Sequence, residues 1–273
     1  MATVELGDIS LYYEQRGSGQ PLLFISGTGS DLRNKPNAFD GPLTKSFSVL
    51  AYDQRGLGRT SVPDGPYSMT QYAADAAGLL DAVGIDSCLI MGVSFGGMVA
   101  QEFAVTYPDR VKRLVLACTS SGGAGGSSYP LHELTGLTGR PRVERSIEIA
   151  DVRWTPAARV GREAEFESLV DLMSAFQDTT AAVGENQDRK ELGLTLQLEA
   201  RRHHDTWDRL SNITAPTLVC GGRYDGIAAP ENSEHLADRI PQAELALFDG
   251  GHMFLIQDPT AFDRMIEFLG TGS

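Results

Sequence analysis

Residues 88–107 read CLIMGVSFGGMVAQEFAVTY, and the reading of this stretch decides the fold. Cys88 to Met91 is a continuous apolar run of the kind that forms a strand covered on both faces. From Gly97 to Tyr107 the chain continues as a helical segment. Between them, Gly92-Val93-Ser94-Phe95-Gly96-Gly97 is the one match to G-x-S-x-G in the chain. In a protein with 30 glycines the bare pattern is weak, and it could mark nothing more than a small-residue turn. The strand running in and the helix running out are the setting that gives the pattern chemical meaning. Glycines permit a turn sharp enough to lift the serine hydroxyl above a sheet, and the helix start adds partial positive charge beside it.

Working outward, the same alternation recurs. LLFIS after Gln20-Pro21, FSVLA leading into YDQRG, RLVLACTS, TLVCGG and LALFDGG are further short apolar runs. Met69 to Val83 places Tyr72, Ala76, Leu79, Leu80 and Val83 at helical spacing. Strands alternating with helices predict an α/β fold built on a mostly parallel, doubly wound sheet. Thr3 to Leu6 and Ile9 to Gln15, split by Gly7-Asp8, predict an antiparallel hairpin at its start. From 121 to 212 no convincing strand occurs, and charge-rich segments such as Arg162 to Gln177 and Arg189 to His203 suit helices. The expected organisation is a core domain of residues 1–120 and 213–273 with an inserted helical cap at 121–212. The run SSGGAGGSS, Ser120 to Ser128, reads as a flexible exit from a strand.

A net charge of -13 over 273 residues would repel nucleic acid and anionic membranes, so neither is expected as a partner. A small neutral substrate fits better, and self-association is left open. Cys88, Cys118 and Cys220 sit in apolar runs, which suits small core residues and not a disulfide framework or a metal site. The start MATVELGDIS has no signal-peptide character and no stretch is apolar enough to span a membrane, so the expected setting is cytoplasmic.

A serine hydroxyl needs a base, and the base needs an orienting acid. Of the five histidines, His252 follows LALFDGG and so sits at the carboxyl end of the last strand, the edge that also carries Ser94. His132, His203 and His204 fall in the 121–212 segment and His235 mid-helix, where packed or solvated roles suffice. Asp225, in GGRYDG just after TLVCG, stands at the carboxyl end of its strand, where α/β sheets place their sites. Asp249, Asp205 and Asp208 compete less well, the first lying on the histidine's own loop and the others preceding the strand. An oxyanion would need two backbone donors: Phe95, after the serine, and Thr28, in the Gly27-Thr28-Gly29 loop after LLFIS. Trp154, Phe176 and Trp207 are candidates to line a substrate pocket, although their spacing suits core packing as well.

SGTGSD at Ser26 to Asp31, YDQRGLGRTS at Tyr52 to Ser61, GVSFGGMVAQEFAVTYPDRV at Gly92 to Val111, GGRYD at Gly221 to Asp225 and GGH at Gly250 to His252 together resemble the α/β-hydrolase superfamily. The resemblance covers nearly the whole chain. Within the superfamily it is closest to the 3-oxoadipate enol-lactonase, cofactor-free haloperoxidase and small carboxylesterase group. It implies an α/β-hydrolase fold, a catalytic triad of Ser94, Asp225 and His252, and ester or lactone hydrolysis without metal or organic cofactor. C–C bond hydrolysis of a diketone-like substrate and a non-catalytic ligand receptor are the alternatives on the same fold. Serine in place of aspartate at position 94 argues against epoxide hydrolases and haloalkane dehalogenases. The Tyr52-Asp53-Gln54-Arg55-Gly56 stretch is expected to pin a loop beneath the site. Ser26-Gly27 departs from the common His-Gly form of the oxyanion loop.

Overall fold

The computed structural model describes residues 2–180 and 189–271, with the backbone alone for Thr135 and 176–180. Eight strands form one sheet: β1 (Ala2–Leu6), β2 (Ile9–Arg16), β3 (Pro21–Ile25), β4 (Ser48–Tyr52), β5 (Cys88–Val93), β6 (Val111–Ala117), β7 (Thr217–Gly222) and β8 (Ala243–Phe248). Their spatial order is β1-β2-β4-β3-β5-β6-β7-β8. β2 is antiparallel to both β1 and β4, and every other pairing is parallel. The expected hairpin and the mostly parallel doubly wound sheet are both present.

The period-two alternation of side chains explains why the central strands are apolar throughout. In β5, Cys88 and Ile90 join the core on one face, while Leu89 and Met91 join the core on the other. Leu114 and Leu116 of β6 alternate with Val115 and Ala117 in the same way. The first face is covered by α2 (Met69–Ala82) and α3 (Phe95–Thr106), together with Leu236 of the later helix Pro230–Arg239. The second is covered by α1 (Leu43–Ser46) and by the C-terminal helix Thr260–Gly270. α2 begins at a reciprocal cap in which the Ser68 hydroxyl accepts from Gln71 N–H and the Gln71 side chain accepts from Ser68 N–H, a device worth about 1 kcal/mol. Its buried stripe is Tyr72, Ala76, Leu79 and Leu80.

Between β6 and β7 the described residues hold no strand. They form α4 (Gly139–Ala150), α5 (Glu163–Thr180), α6 (Lys190–Arg202) and several 3-10 turns. α4 and α5 share a small core of Val143, Ile147, Phe166 and Val170. After β7 come α7 (Pro230–Arg239), α8 (Phe254–Gln257) and α9 (Thr260–Gly270).

The glycine- and serine-rich exit from β6 is packed, contrary to expectation. Ser120 and Ser121 are buried, the Ser121 carbonyl accepts from Thr206 N–H at 2.9 Å, and Gly123–Gly125 form a 3-10 turn. A Cβ on Gly125 would lie 2.2 Å from the Trp207 ring, so glycine is here for close approach and not for mobility. The three cysteines are free and buried. Among the described residues no helix is long and apolar enough to cross a membrane.

Candidate active site

Ser94 links β5 to α3 with φ 55° and ψ −117°, a region that residues with a side chain rarely occupy. The glycines around it are there for space. A Cβ on Gly92 would come within 2.3 Å of the Gly96 carbonyl oxygen, and one on Gly96 within 2.0 Å of the Ile25 carbonyl oxygen. One on Gly97 would meet Thr119 at 2.6 Å. The turn therefore closes only when these three side chains are absent, which presses the start of α3 against the end of β3. Ser94 N–H donates to the Ala117 carbonyl at 2.8 Å, so the neighbouring strand holds the turn from the other side.

β7 delivers Asp225 three residues past its end, and β8 delivers His252 four residues past its own. Gly222 lets the two loops meet, since a Cβ there would lie 2.1 Å from the Gly251 carbonyl oxygen. Asp225 Oδ1 accepts from Ile227 N–H at 2.8 Å and Ala228 N–H at 2.9 Å. Its other oxygen, Oδ2, lies 2.8 Å from His252 Nδ1, and His252 Nε2 lies 3.0 Å from Ser94 Oγ. The Asp225 side chain is fully buried and the imidazole is mostly so. A buried carboxylate with both oxygens occupied fixes the ring so that Nδ1 carries the proton and Nε2 faces the serine. Of the competing acids, Asp249 is solvent-exposed beside Arg153, Asp208 is exposed, and Asp205 caps Trp207 N–H.

The loop after β3 borders the serine, for a Cβ on Gly27 would sit 3.5 Å from Ser94 Cβ. It is held from two directions. Gln54 Nε2 donates to the Ser26 carbonyl at 2.7 Å, while Asp53 accepts from Leu32 N–H at 2.7 Å and Arg59 N–H at 2.9 Å. From α6, Gln197 Oε1 accepts from Gly29 N–H at 2.8 Å. Thr28 Oγ1 and Gln197 Nε2 are buried and find no hydrogen-bond partner among the described residues. The Phe95 amide opens α3 and has no acceptor within the helix, so it is free to face an anion.

Residues 20–259 match the model of the alpha/beta hydrolase fold family, nearly the full span from β3 to the end of the histidine loop. The chain belongs to the α/β-hydrolase fold family. It is similar to 2-hydroxymuconate semialdehyde hydrolase of Pseudomonas putida, with 32% identity over 92% of this chain and 87% of that one. It is 25% identical to 3-oxoadipate enol-lactonase 2 of Acinetobacter baylyi, over 97% of this chain and 94% of that one. The crystal structure of the enol-lactonase from Burkholderia xenovorans superposes with a TM-score of 0.75 at 22% identity, covering 98% of this chain and 99% of that one, a likeness of fold.

In this α/β hydrolase the two tryptophans named from sequence for substrate contact make their described ring contacts with the helices around them. Trp154 packs on Phe166 at 6.3 Å between ring centroids, with the Arg162 guanidinium over its face at 4.2 Å, inside the α4–α5 core. Trp207 packs against the main core beside Gly125, edge-on to His235 at 6.3 Å. Both rings are partly buried and packed against these two clusters. The side chain of Phe176 lies outside the described residues.

Two supports of the hydrolase site were not legible in the sequence. Gln257 Oε1 accepts from Gly251 N–H at 2.7 Å and its Nε2 donates to buried Asp151 at 3.2 Å, while His252 N–H donates to the Ala150 carbonyl at 2.6 Å. The end of α4 thus braces the histidine loop. Gln197 is the other, and an amide side chain on a helix carries no spacing that would mark it. Among the described residues no group of three His, Cys, Asp or Glu side chains is placed to hold a metal ion.

Proposed function

We propose that the chain hydrolyses a carboxylic ester or lactone of a small molecule through an acyl-enzyme on Ser94. The observation that carries this reading is the continuous hydrogen-bond chain Ser94–His252–Asp225, at 3.0 and 2.8 Å, beneath a serine held in a strained turn. In the first half-reaction His252 Nε2 takes the hydroxyl proton as Ser94 Oγ attacks the carbonyl carbon. The proton then passes to the leaving oxygen as the C–O bond breaks. A water, deprotonated by the same nitrogen, attacks the acyl-enzyme and returns Ser94 with its proton. Asp225 steadies the imidazolium that forms in each half. The Phe95 and Thr28 amides supply the oxyanion donors, and α4–α6 act as a cap over the carboxyl edge of the sheet. Buried free thiols and an acidic surface suit work on small molecules in the cytoplasm.

A second reading has one specific support: the similarity to a 2-hydroxymuconate semialdehyde hydrolase, so C–C hydrolysis of a diketone-like substrate belongs in the test. A panel of esters, lactones and vinylogous diketones assayed against wild type and Ser94→Ala decides. The variant should lose roughly three orders of magnitude or more in ester or lactone turnover while staying folded. A folded Ser94→Ala protein with near-normal turnover overturns the acyl-enzyme reading, and preference for the diketones overturns ester or lactone specificity.

A further inference from the structure

A cavity of about 170 Å³ lies where the C-terminal end of α6 meets the exit from β6 and the side of α3. Its polar wall includes Ser120, Ser128, His132, Arg201, Arg202 and His204, with no carboxylate among the lining residues. In a protein of net charge -13 this is an unusual place for two arginines and two histidines to converge. Neither Ser94 nor His252 lines it. It is close to the serine, however: Met98 forms part of the wall, and Met98 N–H donates to the Ser94 carbonyl at 3.2 Å, one helical turn from the nucleophile.

Arg201 is the anomaly. It is 7% exposed, yet among the described residues no acid pairs with it. Its guanidinium donates to the Tyr129 carbonyl at 2.9 Å and the Ser128 hydroxyl at 2.7 Å, both neutral, and its Nε finds no acceptor. Burial alone pushes its pKa down to about 10, so at neutral pH the buried cation stands without a counter-charge. Taking a lone charge out of water is costly, and an opposite charge beside it offsets that cost. The neighbours repeat the pattern. His204 is 6% exposed and its ring has no charged hydrogen-bond partner, only the Ser120 carbonyl beside it, and among the described residues the buried Ser120 hydroxyl finds no partner. Of the acids around the cavity, Glu199 pairs with the exposed Arg202 at 3.8 Å, Asp205 caps Trp207 N–H, and Glu102 is committed to Arg209 by two bonds at 2.9 and 2.7 Å.

We propose that this cavity is a binding site for the carboxylate of a small organic acid, held by Arg201 with the Ser120 and Ser128 hydroxyls and the His204 ring beside it. A carboxylate matches the planar guanidinium, supplies the missing negative charge, and fits the small volume. The group belongs either to the molecule cut at Ser94 or to a separate organic acid, and these two sources give different results. Only the first rests on the hydrolase reading above.

The binding measurement uses the Ser94→Ala protein, in which turnover plays no part. Its melting temperature should rise by about 3 °C in saturating acetate or glutarate, and should not rise in acetamide or in sodium chloride of equal ionic strength. Arg201→Met should lose the rise, and Arg201→Lys, which keeps the charge without the planar fork, should keep part of it. No rise above the chloride control overturns the proposal, and it does so even if Arg201→Met fails to fold. A rise that persists in a folded Arg201→Met protein overturns it too. The kinetic measurement compares kcat/KM for the mono-4-nitrophenyl ester of glutarate and for 4-nitrophenyl 5-methylhexanoate, its neutral isostere. If the carboxylate is the substrate's own, Arg201→Met lowers the ratio of the two at least tenfold. If both esters change alike while acid binding is lost, the carboxylate comes from a separate molecule.

Discussion

Ser94 combines two demands in one residue, a projecting hydroxyl and a backbone at φ 55° and ψ −117° that only glycine adopts without cost. Backbone strain of this kind costs on the order of 1–3 kcal/mol, and the glycines at 92, 96 and 97 permit it by letting the turn approach its neighbours more closely than any side chain would allow. The strain and the chemistry can be separated. Ser94→Ala removes the hydroxyl and keeps the strained Cβ; Ser94→Gly removes both. Both variants should lack turnover, and the glycine variant should be the more stable by about 1 kcal/mol, read from urea midpoints at unchanged m-value. This is a net figure, since glycine also gains freedom in the unfolded chain. Equal midpoints would mean that the turn stores no strain. At the same scale Asp225 needs no such device, because two backbone amides and one imidazole occupy its carboxylate.

Elements differ in how plainly the sequence announces them. β5, β6 and β7 were readable because strands buried on both faces leave unbroken apolar runs, and the turn at Ser94 because its glycines have steric work on a single strand-to-helix joint. Asp225 could be placed since it closely follows such a strand, β7, and His252 since it follows the short apolar run of the partly exposed edge strand β8. The exit from β6 was misread: Ser120–Ser128 has the composition of a flexible loop, but its glycines admit the Trp207 ring and its backbone bonds to Thr206. The same contact seats Trp207 against the core, and Trp154 packs likewise on Phe166. Contacts between distant elements have no local signature, and Gln197 is the clearest case, reaching Gly29 across 168 residues. Through that bond α6 sets the position of the loop that borders Ser94. Gln197→Leu should lower kcat for a short acyl ester roughly tenfold with KM little changed, because a shift well below 1 Å in an oxyanion donor weakens the transition state more than the ground state. A rise in KM at constant kcat would instead make Gln197 a substrate contact.

For the molecule as a whole, buried titratable groups of opposite tendency meet acid together. Burial pushes His204 down to about 4, the nearby Arg209 acting in the same direction against Glu102, Asp205 and the Ser120 carbonyl. Burial pushes Asp53 up to about 6, against the two amides that its carboxylate accepts from. Between about pH 6.5 and 4 the unfolded chain protonates the histidine while the folded protein does not, so this group makes stability fall as the pH falls. Over the same range the folded protein takes a proton at Asp53 that the unfolded chain does not yet take, so that group makes stability rise. The two effects are of similar size, and the wild-type curve by itself conceals both. The difference between wild type and His204→Leu isolates the histidine with its coupling to Glu102, Asp205 and Arg209, since Asp53 and the other distant groups cancel. Relative to its value at pH 7.5, the stability of His204→Leu should gain on wild type by about 3 kcal/mol at pH 4, with most of the change below pH 6. Saturating acetate would disturb this measurement if the cavity binds it, so the buffers should be cationic. A difference that stays constant from pH 7.5 to 4 would show that His204 takes up its proton in the folded protein at an ordinary pH.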